Sequence, residues 1–381
     1  MVTDDPVVIS GMAWSTPIGD DLDEVWDHLC AGATGIAPVP SPHRLRNDLA
    51  ATVPHPVYGE VDPRKRQIDI GARALAAAFS DAGLVPGDPR VELVCGTSFG
   101  AQLDGADSDD WAAEVAGATG HASRPVSVIT ACSAGSDSLL VAEALIRGGA
   151  ARICVAGGVD VLTEAKRLGH SALGTMSPTR LRAFDRSHDG MILGEGAAFL
   201  VLESADSARS RGARVRAVLR AAGSANDASG LTTPDPSGRS VVAAVRNCLG
   251  RARVPADRVA VVSAHGTGTT LNDQVEAASL QEVFGGADPG PVVFGTKGTL
   301  GHSLGATGAI EAVGTVLALT EKRVPPLAGL TSPLAGLSLR LPGDRGARVA
   351  GTFGLSLTLG FGGFNTCLLL EVPQAYERRA A

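Results

Sequence analysis

Val126-Ser127-Val128-Ile129-Thr130 runs straight into Ala131-Cys132-Ser133-Ala134-Gly135, and everything else in the chain can be organised around this unit. The β-branched run Val126–Thr130 predicts a buried strand, and the small residues after it predict a tight turn into a helix over Ser136–Arg147. Ile153–Ala156 then reads as a further strand, closed by Gly157-Gly158. A strand–turn–helix–strand unit with a cysteine at the turn points to an α/β protein.

A related arrangement recurs downstream. Val259–Ser263 predicts a strand running into His265-Gly266-Thr267-Gly268-Thr269, and Val292–Gly295 predicts another, followed by a glycine-rich turn through His302 and a helix over Ala306–Leu319. Upstream, Val7–Ser10 reads as a short strand, and Asp21–Ala31 as a helix with Leu22, Val25, Trp26 and Leu29 at helical spacing. Residues 33–57 lack a sustained period and read as loop. Ile68–Ala82 reads as a helix ended by Gly83, and Val91–Cys95 as a buried strand. Residues 101–124 are poor in large apolar side chains and read as a surface loop or short helix. Two βα-rich halves, 1–204 and 205–381, suggest an internal duplication packed as one body, with no linker between them.

Composition narrows the class. In 381 residues, 44% are apolar, 19% charged and 48 are glycine, a globular mixture suited to tight strand-to-helix turns. The formal charge of −7 gives no support for nucleic-acid binding. The cysteines (30, 95, 132, 154, 248 and 367) show no knuckle spacing for a metal and no disulfide framework. Cys95, Cys154 and Cys367 lie in apolar runs and read as core residues. The start of the chain has no basic segment leading into an apolar stretch, and no apolar run reaches membrane-spanning length, so a cytoplasmic protein is expected.

The chemistry-bearing residues are Cys132, His265 and His302. A cysteine between a strand and a helix start sits where backbone N–H groups and the helix dipole favour a thiolate nucleophile. Alone, the position fits a buried structural cysteine at least as well. His265 and His302 each follow a strand and are flanked by glycines that let a substrate approach the backbone. All three fall at strand ends, where ligands gather in α/β folds.

These residues stand within an ordered set of motifs that resembles the β-ketoacyl synthases of the thiolase superfamily over almost the whole chain. The set comprises Val8-Ile9-Ser10-Gly11-Met12, the stretch Asp62–Leu84, Thr130–Gly135, Phe184–Gly190 with Gly194–Ala197, His265–Thr269, Lys297–Gly308 and Gly360–Asn365. The presence of His302, in place of the asparagine of synthases that prime chains from acyl-CoA, resembles the Cys-His-His group that elongates acyl chains. The absence of a second cysteine at Gly362–Asn365 sets the chain apart from thiolases.

The resemblance implies a thiolase-like α/β fold, with duplicated βαβαβαββ halves, two mixed five-stranded sheets and a layered αβαβα body, in a homodimer. It implies that Cys132 is acylated by a thioester and that a malonyl thioester then decarboxylates and condenses with the acyl group. Cys132 and Phe361 would hold the oxyanion, His265 and His302 the enolate, and Thr267 and Thr269 the pantetheine arm. Lys297 would pair with Glu311, Asp273 and Glu276 would brace the His265 loop, and Phe361 would act as a gate. Surface solvation for the charged residues and core packing for Phe361 are the plainer readings. His28, His43, His55, His121, His170 and His188 carry no functional claim. The reaction requires no metal and no cofactor beyond the substrates' phosphopantetheine.

The partners implied are an acyl carrier protein or an acyl-CoA thioester, with no nucleic acid and no membrane. The stretch 100–130 is shorter than in typical elongating synthases and lacks their basic residues. Arg64, Lys65 and Arg66 are left as the candidate carrier-docking cluster, with Arg180 and Arg182 weaker candidates. Leu359 stands where a phenylalanine is common. These departures point to a specialised synthase of polyketide or fatty-acid biosynthesis. An acyltransferase or cyclase on the same fold, or a non-catalytic chain-length partner, are the alternatives.

Overall fold

The computed structural model describes residues 5–101 and 110–373. Its large sheet uses β1 (Val7–Ser15), β2 (Val91–Gly96), β3 (Val126–Val128), β4 (Ile153–Asp160) and β5 (Gly196–Ser204) from the first half. The second half supplies β6 (Ala217–Asn226), β7 (Val259–Ser263), β8 (Val292–Phe294), β9 (Phe353–Leu359) and β10 (Phe364–Glu371). The hydrogen-bonded order is β8-β7-β9-β10-β6-β1-β5-β4-β2-β3. From β1 outward, the ladders run antiparallel, antiparallel, parallel, parallel, and the run outward from β6 repeats that pattern.

The two five-strand runs are not separate sheets. Val7 and Ile9 of β1 pair with Leu219 and Ala217 of β6, which joins both runs into one ten-stranded ladder. β1 is longer than Val7–Ser10 and buried throughout, because it bonds to β5 along its length and to β6 at its start.

Side-chain alternation along the strands explains the layers. In β5, Ala198, Leu200 and Leu202 enter one apolar cluster while Ala197, Phe199 and Val201 enter another. In β10, Leu368 and Leu370 join the same first cluster, and Cys367 and Leu369 a third. The shared cluster is therefore the middle of the protein, with outer clusters on either side.

Among the helices that fill these layers are α1 (Pro63–Asp81), α2 (Ala134–Arg147), α3 (Arg239–Ala252), α4 (Thr270–Phe284) and α5 (Thr307–Glu321). α5 is buried at every position from Thr307 to Leu319, and its one charged side chain there, Glu311, pairs with Lys297. It packs with α2 in the shared cluster, through Leu139, Ala142, Ile146, Ala309, Val313 and Leu317 among others. Their N-terminal ends meet at glycines. A Cβ on Gly308 would lie 1.9 Å from Ser136 Oγ, and one on Gly135 would lie 2.8 Å from the Ala309 nitrogen.

Several sequence expectations shift. α1 starts at Pro63 rather than Ile68, because Asp62 caps it by accepting from the Arg64 and Lys65 N–H groups. The stretch 33–57 contains two short strands, Ile36–Pro38 and Leu49–Ala51. Trp111–Ala118 is a helix with Trp111 and Val115 buried; residues 102–109 of the same stretch lie outside the described residues. The expected buried strand Val126–Thr130 is instead the exposed edge β3, with Val126 44% and Ile129 47% accessible. Cys95, Cys154 and Cys367 are fully buried, as read.

Arg66 is not a docking residue. It is 1% exposed, and its guanidinium donates to both Glu195 oxygens and to the Val53 carbonyl. Glu195 also accepts from the Val53 and Leu162 N–H groups. The pair ties α1 to the start of β5, and its apolar neighbours on α1 drew it inward with them. Replacing Arg66 by Met should cost about 3–5 kcal/mol by stranding the Glu195 charge. Lys65→Met, on the exposed side, should stay within about 0.5 kcal/mol. Urea midpoints of the two variants, at unchanged slope, check this.

Candidate active site

Cys132 lies in the tight turn Ala131–Ser133 that opens α2. The turn is formed with Ala131 at φ 51°, a left-handed conformation that non-glycine residues seldom adopt and that often marks functional turns. Thr130 Oγ1 donates to Asp137 at 2.6 Å, and Ser133 Oγ donates to the Phe364 carbonyl at 2.6 Å, which pins the turn to β10.

His302 lies in the second half, two residues before the matching turn Leu304–Ala306 that opens α5. The Leu304 N–H donates to His302 Nδ1 at 3.2 Å. Nδ1 therefore carries the lone pair and the ring proton resides on Nε2, a buried atom with no partner among the described residues. His265 follows β7, with its ring centroid 5.3 Å from that of His302 and at 85° to it. Its Nδ1 is likewise buried without a partner. Cys132, His265 and His302 open onto one cavity of about 300 Å³, which Thr267, Thr269 and Phe361 also line.

Glu276, Asp273, Lys297 and Glu311 lie around the two histidine turns. Glu276 accepts from the N–H groups of His265 and Gly266 at 2.6 and 2.8 Å, and Asp273 accepts from those of Gly268 and Phe184 at 3.0 and 2.7 Å. Both carboxylates are buried, so they shape the loop from inside rather than facing water. Lys297 pairs with Glu311 out of solvent contact. Burial pushes Glu311 up to about 7, against the pull of the lysine. Burial likewise pushes Glu276 up to about 8, against the N–H groups that it accepts.

Electrostatics corrects one expectation. The helix start was expected to favour a Cys132 thiolate. Burial instead pushes the thiol up to about 12, against the Lys297 charge and an N–H directed at the sulfur from Phe361. Burial, reinforced by Lys297, also holds His265 and His302 well below the usual imidazole range. Burial thus disfavours charge on the thiol and on both imidazoles that share its cavity.

Three contributors were missed in the sequence. His188 is buried with Nδ1 3.4 Å from Asp273, so it belongs to the brace of the His265 loop. Asp160 accepts from the N–H groups of Ser98 and Gly305 at 2.8 and 2.9 Å and pairs with Lys166, joining the two halves behind the cysteine. His170 stacks on Phe361 with ring centroids 5.8 Å apart. No spacing in the sequence marks these partners, because each contact joins different elements. Of the docking cluster, Arg64 pairs with Glu114 and Lys65 with Asp69, while Arg180 is exposed.

Among the described residues, no group of three His, Cys, Asp or Glu side chains converges in a way that could hold a metal ion. No helix among them is long and apolar enough to cross a membrane.

With the thiol up at about 12, the thiolate fraction rises tenfold for each pH unit through the neutral range. Alkylation of Cys132 by iodoacetamide, followed by peptide mapping, should therefore climb steadily from pH 6.5 to 9 with no plateau. A plateau near neutral pH would show a thiolate.

Comparison with known proteins agrees with this geometry. Residues 4–208 match the family described as "Beta-ketoacyl synthase, N-terminal domain", and residues 216–331 match "Beta-ketoacyl synthase, C-terminal domain". The chain is 30% identical to 3-oxoacyl-[acyl-carrier-protein] synthase 2 of Synechocystis sp., over 97% of this chain and 98% of that one. It superposes on the ishigamide ketosynthase/chain length factor with a TM-score of 0.86 at 27% identity, covering 97% of this chain and 100% of the other. The type II PKS acyl-carrier protein in complex with its ketosynthase (AntDE:AntF) gives a TM-score of 0.88 at 24% identity, covering 97% and 100%, a likeness of fold. The chain belongs to the β-ketoacyl synthase family, the condensing enzymes of the acyltransferase class.

Proposed function

We propose that Cys132 is the acylated nucleophile and that His265 and His302 carry the decarboxylative half of the condensation. The observation that carries this reading is the convergence of one thiol and two buried imidazoles on a single cavity.

In the first half-reaction the Cys132 sulfur attacks an acyl thioester, and the thiol proton ends on the departing carrier thiol. The N–H groups of Cys132 and Phe361 hold the oxyanion; the direction of the Phe361 N–H toward the sulfur supports this. In the second, a malonyl thioester loses carbon dioxide, and the electron pair of the broken C–C bond becomes an enolate. His302 Nε2–H, a buried donor lacking a partner, is suited to the enolate oxygen, with His265 beside it. The carbanion then attacks the acyl-cysteine carbonyl, and Cys132 leaves as a thiolate that takes up a proton. Each developing charge has a protein donor, so the scheme uses neither metal nor cofactor. Lys297 and Glu311 act by ordering the His302 turn.

The donor is carried by an acyl carrier protein in a cytoplasmic polyketide or specialised fatty-acid pathway. Relatives named for that carrier, and a structural neighbour solved with one, support this. With Arg66 buried, Arg64, Lys65 and the exposed Arg180 are the basic residues left for docking. A homodimer is supported by the sheet edge: among the described residues β3 ends the ladder unpaired on one side, and Phe99, Val126 and Ile129 are about half exposed beside it.

Intact-mass measurements test the chemistry. Acyl thioesters should add one acyl group to wild type and none to Cys132→Ala. His302→Ala should still be acylated but release carbon dioxide from malonyl carrier about 10²–10³-fold more slowly. Loss of acylation and decarboxylation in equal measure would remove His302 from the second step, and discharge of the adduct without carbon dioxide would favour the acyltransferase or cyclase reading. For the edge, Ile129→Lys should shift the molar mass by light scattering from dimer to monomer; a monomeric wild type would refute the dimer.

A further inference from the structure

Asp160 is the last residue of β4 and is fully buried, yet neither half of the condensation calls on it. After burial, its charge is among the causes that push the Cys132 thiol up, so it lies within electrostatic reach of the sulfur and opposes its ionisation. A carboxylate there is a cost to acylation. The bonds that it makes lead instead to the His302 turn.

Four donors satisfy the carboxylate. One oxygen accepts from the Ser98 and Gly305 N–H groups at 2.8 and 2.9 Å, and the other from the Val161 N–H at 3.1 Å and from the Lys166 ammonium. Lys166, itself buried, also donates to the Val161 carbonyl at 2.6 Å. Gly305 belongs to the turn Leu304–Ala306 and is tightly enclosed. A Cβ there would lie 2.1 Å from the Ser98 nitrogen, and one on Gly158 would lie 2.7 Å from the Gly305 carbonyl oxygen. The residue before it, Leu304, has φ 48°, a left-handed conformation that is strained for a leucine and must be imposed by its surroundings. That residue is the one whose N–H reaches His302 Nδ1, at 3.2 Å. Thr307 Oγ1 lies 3.2 Å from the same nitrogen.

We propose that Asp160 is a positioning residue for His302, holding the Gly305 N–H so that the Leu304 N–H stays on Nδ1 and the ring proton stays on Nε2. This builds on the reading of His302 Nε2–H as the donor to the enolate. Without an acceptor at position 160, the Gly305 N–H loses its partner and Leu304 is free to relax out of the left-handed region. Nδ1 can then take the proton and donate it to Thr307 Oγ1, which leaves on Nε2 a lone pair that repels the enolate oxygen. Lys166 balances the carboxylate, so the clamp places little net charge beside the thiol and the imidazoles.

Two double variants isolate the acceptor. Asp160→Ala with Lys166→Met removes it, and Asp160→Asn with Lys166→Met keeps an amide oxygen for the Gly305 N–H. Neither leaves a buried ammonium without its partner, the change that costs a buried pair most stability. Nitrogen-15 NMR of the histidine rings, with His302 identified by the signal lost in His302→Ala, reads the tautomer directly. Wild type should show Nε2–H; an Nδ1–H ring in wild type overturns the assignment even where a variant fails to fold. The Asp160→Ala pair should move the ring toward Nδ1–H and slow carbon dioxide release from malonyl carrier by up to about 10²–10³-fold, the cost of one lost donor, while Cys132 is still acylated. The Asp160→Asn pair should keep the wild-type tautomer and most of the rate. In a His302→Ala background the Asp160→Ala pair should cost nothing further, since Asp160 acts through that ring. An unchanged tautomer in the Asp160→Ala pair, or a loss as large without His302 as with it, makes Asp160 a structural residue only and overturns the proposal. If His302→Ala alone leaves carbon dioxide release intact, the reading of His302 fails instead, and the tautomer measurement still decides the role of Asp160.

Discussion

The close approach of α2 and α5 at their N-terminal ends is the constraint on which the active site depends. Gly135 and Gly308 leave no room for a side chain between the helices. Each helix is preceded by a turn that carries a residue of the candidate site, Cys132 before one and His302 before the other. Bringing the helix ends together therefore brings the thiol and the imidazole together, although 170 positions separate them in the chain. The repeated ladder pattern of the two halves places β3 and β8 at equivalent ends of the sheet, so the two turns are structural counterparts.

Burial then sets the chemistry. A site this deep raises the thiol, lowers the imidazoles and raises Glu276 and Glu311, so few groups in it carry charge at rest. The fixed donors are backbone N–H groups and one imidazole N–H, which need no reorganisation when charge develops on substrate. Lys297 contributes to lowering both histidines. Its pairing with Glu311 is thus part of the electrostatics of the imidazoles as well as a brace for their loop.

Much of this was legible along the chain because it is local. The Cys132 turn follows an apolar run, the two glycine-flanked histidines follow strands, and Asp273 and Glu276 lie one and two turns into the helix after His265. What misled was the direction in which a side chain points. Arg66 shares a basic triplet with Arg64 and Lys65, yet on a helix the three spread over different faces, and Arg66 turns inward to Glu195. Val126–Thr130 has the composition of a core strand but sits at the sheet edge, a position set by the order of pairing rather than by its own residues.

The α/β class, most of the elements and the turns that hold Cys132, His265 and His302 are legible in the residues alone. Local periodicity and glycine placement are properties of neighbouring residues, and they survive without any knowledge of the rest of the chain. Packing between distant elements set the single ladder joining both halves, the shifts of the buried thiol and imidazoles, the burial of Arg66, and the partnerships of His170, His188 and Asp160. Each of these depends on elements far apart in sequence meeting in a medium of low polarity, where distance through space and exclusion of water govern the energies.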